Sequence, residues 1–201
     1  MKRLLYILTA FLIASPGSGQ TAKEYFNKGL AKLELQDYSG AISDYTKAIE
    51  IDPEYKEAYC NRGFTKYCQQ DYSGAIIDYT KAIEIDHEYA KAYYTRGKAK
   101  ADILDYKGAI IDYDKTIEII PSYSQAYFER GFTKYSLKDY SGAIIDLTKT
   151  IEIDPNDGDA YYGRGMVKIS IGQKDSACLD LRKAEELGSM GASEAIKKYC
   201  N

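Results

Sequence analysis

Few side chains in this 201-residue sequence have the chemistry of a catalytic group. Its single histidine, His87, stands where related stretches of the chain carry Pro53 and Pro155. Such a position is typical of an exposed turn, and no partnered nucleophile lies near it in sequence. The sequence has no glycine-rich phosphate loop, no G-x-S-x-G motif and no cysteine or histidine spacing typical of zinc. We therefore predict that the protein is not an enzyme and holds no cofactor or metal.

Charged residues recur along the chain with a spacing of 34 residues, and they could form a binding site. The cations are Lys28, Arg62, Arg96, Arg130 and Arg164, and the anions are Asp44, Asp78, Asp112, Asp146 and Asp180. The cations could form a basic ladder for phosphate or carboxylate groups, or they could pair with the aspartates internally. Because an unpaired, partly buried arginine is costly, we predict that each arginine pairs with an aspartate of its own or the preceding 34-residue unit.

The same spacing of 34 residues extends to small residues and divides the chain into five repeats. The recurring positions are Gly29, Gly63, Gly97, Gly131 and Gly165, and Ala41, Ala75, Ala109, Ala143 and Ala177. Apolar residues in each half of a repeat have helical spacing, and Asp71 has the residue type of a helix N-cap. The pattern predicts stacked helical hairpins whose helices approach closely at the small residues.

The stretch RGFTKYCQQDYSGAIIDYTKAIEID, residues 62–86, resembles the tetratricopeptide repeat family almost position for position. The resemblance implies an all-α fold, an α-solenoid or right-handed superhelix of five helix-turn-helix units. We place the repeats at 22–55, 56–89, 90–123, 124–157 and 158–191, and a capping helix at 192–201, within a domain at 20–201. The family implies protein binding but no particular partner. The chain departs from the family at the arginine positions, where leucine is usual.

The resemblance also implies a binding surface, because the first helices of family members line a concave groove. The matching positions lie three residues before, one after and four after each repeat glycine, with polar residues beside them. The predicted groove residues are Phe26, Leu30, Cys60, Asn61, Phe64, Tyr67, Lys91, Tyr94, Lys98, Phe128, Phe132, Tyr135, Tyr162 and Met166. Aromatic residues near an interface centre are common anchors, so we expect a peptide or helix partner here. Neighbouring helices could instead cover some of these rings.

Two functions remain open from the sequence: a scaffold that binds a protein segment in the groove, or a structural subunit of a cell-envelope assembly that uses its edges or convex face. One subtype of the family grips the acidic C-terminus of heat-shock chaperones with lysine, asparagine and arginine. At the matching positions this chain has Phe26, Leu30, Asn61, Lys91 and Thr95, so only Asn61 and Lys91 agree. The net charge of −3 gives no basic field for nucleic acid.

The N-terminus has the layout of a secretory signal peptide at residues 1–19. Lys2 and Arg3 precede a mostly apolar run from Leu4 to Ala14, and small residues follow it. The run is too short to span a bilayer comfortably, and no cysteine stands at the cleavage site to carry a lipid anchor. We therefore expect an exported protein, periplasmic or secreted, with no membrane span after cleavage. The resemblance to envelope or secreted bacterial members of the tetratricopeptide repeat family implies a bacterial source. A buried helix is the alternative.

The repeat geometry limits which of the four cysteines could form a disulfide. Cys60 and Cys68 lie on one predicted helix, about 12 Å apart along its axis, which is too far for a disulfide. Neither can reach Cys178 or Cys200 across the intervening repeats of a stiff array. A Cys178–Cys200 bond between the last repeat and the capping helix remains, and an oxidising compartment would permit it. Buried free thiols are the alternative.

Overall fold

The computed structural model describes residues 20–200, which form eleven helices. The predicted signal segment 1–19 lies outside the described residues, as does residue 201. Each repeat holds two helices, and one further helix follows the fifth repeat. The helices are α1 (Ala22–Glu34), α2 (Tyr38–Ile51), α3 (Lys56–Cys68), α4 (Tyr72–Ile85), α5 (Ala90–Asp102), α6 (Tyr106–Ile119), α7 (Ser124–Ser136), α8 (Tyr140–Ile153), α9 (Gly158–Ser170), α10 (Lys174–Glu186) and α11 (Ala192–Tyr199).

An aspartate caps the second helix in each of the first four repeats. Its carboxylate accepts a hydrogen bond of 2.9–3.0 Å from the backbone N–H three residues further on. The capping residues are Asp37, Asp71, Asp105 and Asp139. This confirms the N-cap predicted at Asp71, and it satisfies one of the N–H groups that a helix start leaves unpaired.

The repeat glycines allow the two helices of a hairpin to approach closely. A Cβ atom added at Gly29 would lie 2.5 Å from Cε1 of Tyr45, and one at Gly97 would lie 2.7 Å from Cε1 of Tyr113. Both tyrosines are completely buried. The prediction of close helix packing at these glycines is therefore confirmed, because any side chain there would displace a core ring.

The hairpins stack into two layers. Each second helix packs on the first helix of its own repeat and on the first helix of the next repeat. The first helices also contact one another along the array, so they form the inner layer and the second helices form the outer layer. Helix α11 packs on α10 and covers the C-terminal end. The predicted α-solenoid with a capping helix is confirmed.

A disulfide ties the capping helix to the last repeat. The Sγ atoms of Cys178 in α10 and Cys200 after α11 are 2.00 Å apart, and their Cα atoms are 5.7 Å apart. The other two cysteines, Cys60 and Cys68, are free, the first buried and the second exposed. None of the helices in residues 20–200 is long and apolar enough to cross a membrane.

Candidate protein-binding groove

The predicted groove residues lie on the first helices α1, α3, α5, α7 and α9, which form the inner layer. Two of them present large apolar groups to solvent: Phe64 is 42% exposed and Phe132 is 37% exposed. These two phenylalanines hold the same position in repeats two and four. The other aromatic residues of the set are partly buried. The inner layer therefore has two exposed aromatic residues, Phe64 and Phe132, within a larger surface of partly buried aromatic residues.

A pocket of about 100 Å³ opens beside Phe64, between α3 and α5. Its lining residues are Phe64, Tyr67, Tyr79, Tyr94, Thr95 and Lys98. Four of the six are aromatic, and Thr95 and Lys98 add a hydroxyl and an ammonium group. The pocket is much smaller than a site for a drug-sized ligand, so it suits one apolar side chain with a polar group beside it.

The second exposed phenylalanine, Phe132, lies two repeats further along, on α7. The ring centroids of Phe128 and Phe132 are 4.8 Å apart. A Cβ atom at Gly163 of α9 would lie 2.8 Å from Cζ of Phe132, so the glycine leaves the space that this ring occupies. Neither Phe128 nor Phe132 is fully buried, and together they form an apolar patch on the inner surface.

Neighbouring rings cover part of the predicted groove set. The Phe26 ring lies 4.9 Å from the Tyr55 ring, and the Tyr94 ring lies 5.1 Å from the Tyr123 ring, measured between centroids. Tyr162 lies elsewhere, since with Met166 it lines a separate cleft of about 230 Å³ against the capping helix. The accessible aromatic surface is thus concentrated in repeats two to four.

Cys60 has to be removed from the groove set. Only 1% of its surface is exposed, because it packs into the core with Tyr89 and Ala92. Burial raises the pKa of the Cys60 thiol, and the nearby Lys91 charge offsets this only in part. Cys60 is therefore a small packing residue and not a contact for a ligand.

Two polar groups of the groove are paired across repeats, and a third is paired within its own helix. The hydroxyl of Tyr67 donates to Asp102 at 2.5 Å, and the ammonium of Lys98 lies 3.4 Å from Glu129. Burial and the Asp102 carboxylate raise the pKa of Tyr67. The amide of Asn61 donates to the Glu57 carbonyl at 2.8 Å. The Tyr67–Asp102 and Lys98–Glu129 contacts join adjacent first helices, whereas the Asn61 bond lies within α3.

Comparison with known families matches residues 29–70 and 65–102 to the TPR repeat, and residues 124–157 and 158–187 to the tetratricopeptide repeat. Together these matches cover well over half of the chain. The chain belongs to the tetratricopeptide repeat family. Proteins of this family are typically non-enzymatic interaction scaffolds. A search of curated protein sequences returns no match.

Several solved tetratricopeptide structures are similar to this chain. A crystal structure of MamA is 30% identical, has a TM-score of 0.76, and the match covers 85% of this chain and 97% of that one. YrrB, described as a TPR protein with an unusual peptide-binding site, is 23% identical, has a TM-score of 0.74, and the match covers 88% and 92%. The first TPR of Spaghetti (RPAP3), bound to the HSP90 peptide SRMEEVD, is 27% identical with a TM-score of 0.58 and coverage of 59% and 94%.

The arginines that replace the usual leucine of tetratricopeptide repeats are paired inside the protein. Each donates from Nε and Nη2 to both carboxylate oxygens of an aspartate in its own repeat, at 2.6–3.0 Å. The pairs are Arg62–Asp78, Arg96–Asp112, Arg130–Asp146 and Arg164–Asp180. The predicted pairing is confirmed, and the alternative of a basic ladder in open solvent is wrong.

Two further partners of these pairs were missed in the sequence, although both recur every 34 residues. A lysine four residues after each arginine approaches the same aspartate at 2.7–2.8 Å. These lysines are Lys66, Lys100, Lys134 and Lys168. The Nη1 group of each arginine also contacts the preceding repeat, at Thr46, Thr80, Asp114 and Thr148. The arginine therefore joins neighbouring repeats as well as the two helices of its own.

Proposed function

We propose that this protein is a scaffold that binds an apolar segment of another protein, as a peptide or a helix, in its concave groove. The observation that carries the proposal is the exposure of Phe64 and Phe132 on the inner layer, with a side-chain-sized pocket beside Phe64. Exposed aromatic groups next to a pocket are typical anchors of protein interfaces. The bound peptide of the Spaghetti structure supports a peptide as one form of the ligand.

The chemistry of the groove favours apolar anchors over an acidic chain end. Of the chaperone-clamp positions only Asn61 and Lys91 agree, and the Asn61 amide already donates to a backbone carbonyl. The Lys98 ammonium is already paired with Glu129, and this pairing weakens its electrostatic attraction for an incoming carboxylate. We therefore expect the ligand to bind mainly through apolar side chains that contact Phe64, Tyr94 and Phe132.

The test is capture of partners from cell envelope and medium by the immobilised protein. The groove variant is Phe64→Glu/Phe132→Glu, and the matched control is Leu35→Glu/Leu137→Glu, which changes two exposed residues at helix-to-helix turns. We expect the groove variant to lose at least about tenfold of the captured partner and the control to keep it. Circular dichroism must show unchanged helix content in both. Retention by the groove variant would contradict the proposal.

A second candidate function is a structural subunit of a cell-envelope assembly that binds through an edge. It is favoured by a row of exposed aliphatic residues at the turns between first and second helices. The row is Leu35, Ile103, Leu104, Leu137 and Ile171. In the capture experiment, loss of the partner by Leu35→Glu/Leu137→Glu with retention by Phe64→Glu/Phe132→Glu would make this the better explanation.

We further propose that the protein works outside the cytoplasm, in the periplasm or the medium. Support comes from the basic and apolar layout of residues 1–19 and from the Cys178–Cys200 disulfide, a bond typical of oxidising compartments. Cell fractionation with sequencing of the mature N-terminus tests this. We expect an extracytoplasmic chain that begins near Gln20, and an intact chain in the cytoplasm would contradict it.

A further inference from the structure

A row of exposed aliphatic side chains runs along the outer layer, on the opposite side from the groove. It consists of Ile77, Ile111, Ile145 and Leu179, which hold the same position on α4, α6, α8 and α10. They are 68%, 66%, 67% and 72% exposed, among the most exposed large apolar residues in the described chain. Each directly precedes a buried aspartate. We call these four residues the aliphatic row.

A pocket of about 430 Å³ lies beside Ile77, the member of the row in the second repeat. Tyr59 and Arg62 line it from α3, and Ile76 and Ile77 line it from α4. The Arg62 guanidinium is already bonded to Asp78 and Thr46, and it lies 5.5 Å from the centroid of the Tyr59 ring. Lys81, which also lines the pocket, is paired with Glu84 at 3.0 Å. Because both cations are already paired, an apolar group fits the pocket better than an anion does.

The charges beside the row are balanced. Each of its helices carries a lysine and a glutamate in ion-pair contact, four and seven residues after the aliphatic residue, at 2.8–3.0 Å. The pairs are Lys81–Glu84, Lys115–Glu118, Lys149–Glu152 and Lys183–Glu186. Nucleic acid or an anionic membrane would need an excess of positive charge, which this face does not have. A surface that carries equal numbers of both signs can face another copy of itself without net repulsion, although the chain as a whole has a charge of −3.

We propose that the aliphatic row is a self-association surface that joins two copies of this chain back to back. In a two-fold arrangement both copies use the same patch, so exposed aliphatic residues at one regular spacing can pack between those of the other copy. The row ends at the first repeat, where Ser43 holds the position, so its centre lies between repeats three and four. Ile111 and Ile145 are therefore the central contacts. The surface is separate from the groove, and the inference does not depend on what the groove binds.

Sedimentation velocity of the purified protein, across roughly 1 µM to 1 mM, tests the proposal directly. We expect the wild-type mass to rise from one chain to two across this range. Ile111→Glu/Ile145→Glu should weaken dimerisation at least tenfold, because four glutamates would meet at the centre of the interface. Two controls should dimerise as the wild type does: Leu35→Glu/Leu137→Glu at the turns, and Phe64→Glu/Phe132→Glu in the groove.

A photo-reactive residue at position 111 gives a second readout that does not depend on a destabilising charge. It should cross-link one copy to another, and peptide mapping should place the cross-link on the outer layer. A wild type that stays monomeric at the highest concentration would overturn the proposal. So would a dimer lost equally in either control, or cross-links that map to the inner layer.

Discussion

The first repeat and the four that follow it bury the same aspartate with different partners. In repeats two to five each aspartate accepts two hydrogen bonds from an arginine guanidinium and also pairs with a lysine ammonium. Among the described residues, Asp44 of the first repeat is paired with the Lys32 ammonium alone, whose Nζ lies 2.6 Å from Oδ2. Lys28, at the arginine position, is exposed and lies 5.5 Å from the centroid of the Tyr25 ring.

The difference shows what the arginine contributes. In the later repeats its third nitrogen reaches back to a residue on the second helix of the preceding repeat. Within residues 20–200 the first repeat has no preceding repeat, so an arginine at position 28 would find no such acceptor. The arginine is therefore best understood as a link between repeats that also satisfies the buried aspartate.

The largest expected effect comes from removing the aspartate in a middle repeat. Asp112→Ala leaves Arg96 and Lys100 uncompensated in a mostly buried site, and we expect a loss of about 3–5 kcal/mol in the free energy of unfolding. Asp44→Ala removes only a pair with a more exposed lysine and should cost about 1 kcal/mol or less. Urea unfolding followed by circular dichroism measures both. Equal losses would mean that the two repeats do not differ energetically.

The next effect concerns the opposite end of the array. Cys178→Ser/Cys200→Ser removes a cross-link between residues 22 apart and should cost about 3 kcal/mol. Hydrogen exchange should speed up in α10 and α11 and stay unchanged in α1 and α2, since each repeat contacts only its neighbours. Reduction of the wild-type protein should reproduce the change. Faster exchange in the first repeat as well would contradict local stabilisation.

Alkaline pH should affect the first repeat through its core tyrosine. Burial raises the pKa of Tyr45 from the ordinary 10.0 to about 12. The folded state holds the Tyr45 proton more tightly than the unfolded state does. The contribution of this proton to the free energy of unfolding is therefore complete below about pH 10, and about 2–3 kcal/mol is lost as the pH rises towards about 12. Tyr45→Phe should remove this part of the decline, and within residues 20–200 the Tyr45 hydroxyl has no hydrogen-bond partner that the substitution would remove. Unfolding curves at pH 8–12 provide the measurement, and an unchanged decline in the variant would be the contrary result.

The smallest expected effect comes from giving the first repeat the missing arginine. Lys28→Arg could form the two-pronged contact with Asp44 but not the contact with a preceding repeat. We expect a gain of only about 0.5 kcal/mol or less in the free energy of unfolding. Thermal and urea unfolding beside the wild type measure it. A gain above about 1 kcal/mol would show that the bond to the preceding repeat contributes little.

Much of the fold follows from the sequence because one period carries the information five times. The spacing of the small and charged residues is enough to predict the hairpins, the N-cap at Asp71 and the pairing of Arg62, Arg96, Arg130 and Arg164. Each of these depends on contacts within one hairpin or between adjacent hairpins. Such contacts have fixed sequence separations, so a repeating pattern specifies them.

The accessible surface was decided only by the tertiary structure. Cys60 matched the groove pattern and is buried, Tyr162 matched it and lines the cleft at the capping helix, and Phe26 is partly covered by Tyr55. The outward exposure of Ile77 and its equivalents could not be told from core packing by period alone. A period states which face of a helix a residue occupies. Whether that face meets water, a neighbouring ring or another helix depends on residues of other repeats, which only the stacked structure brings together.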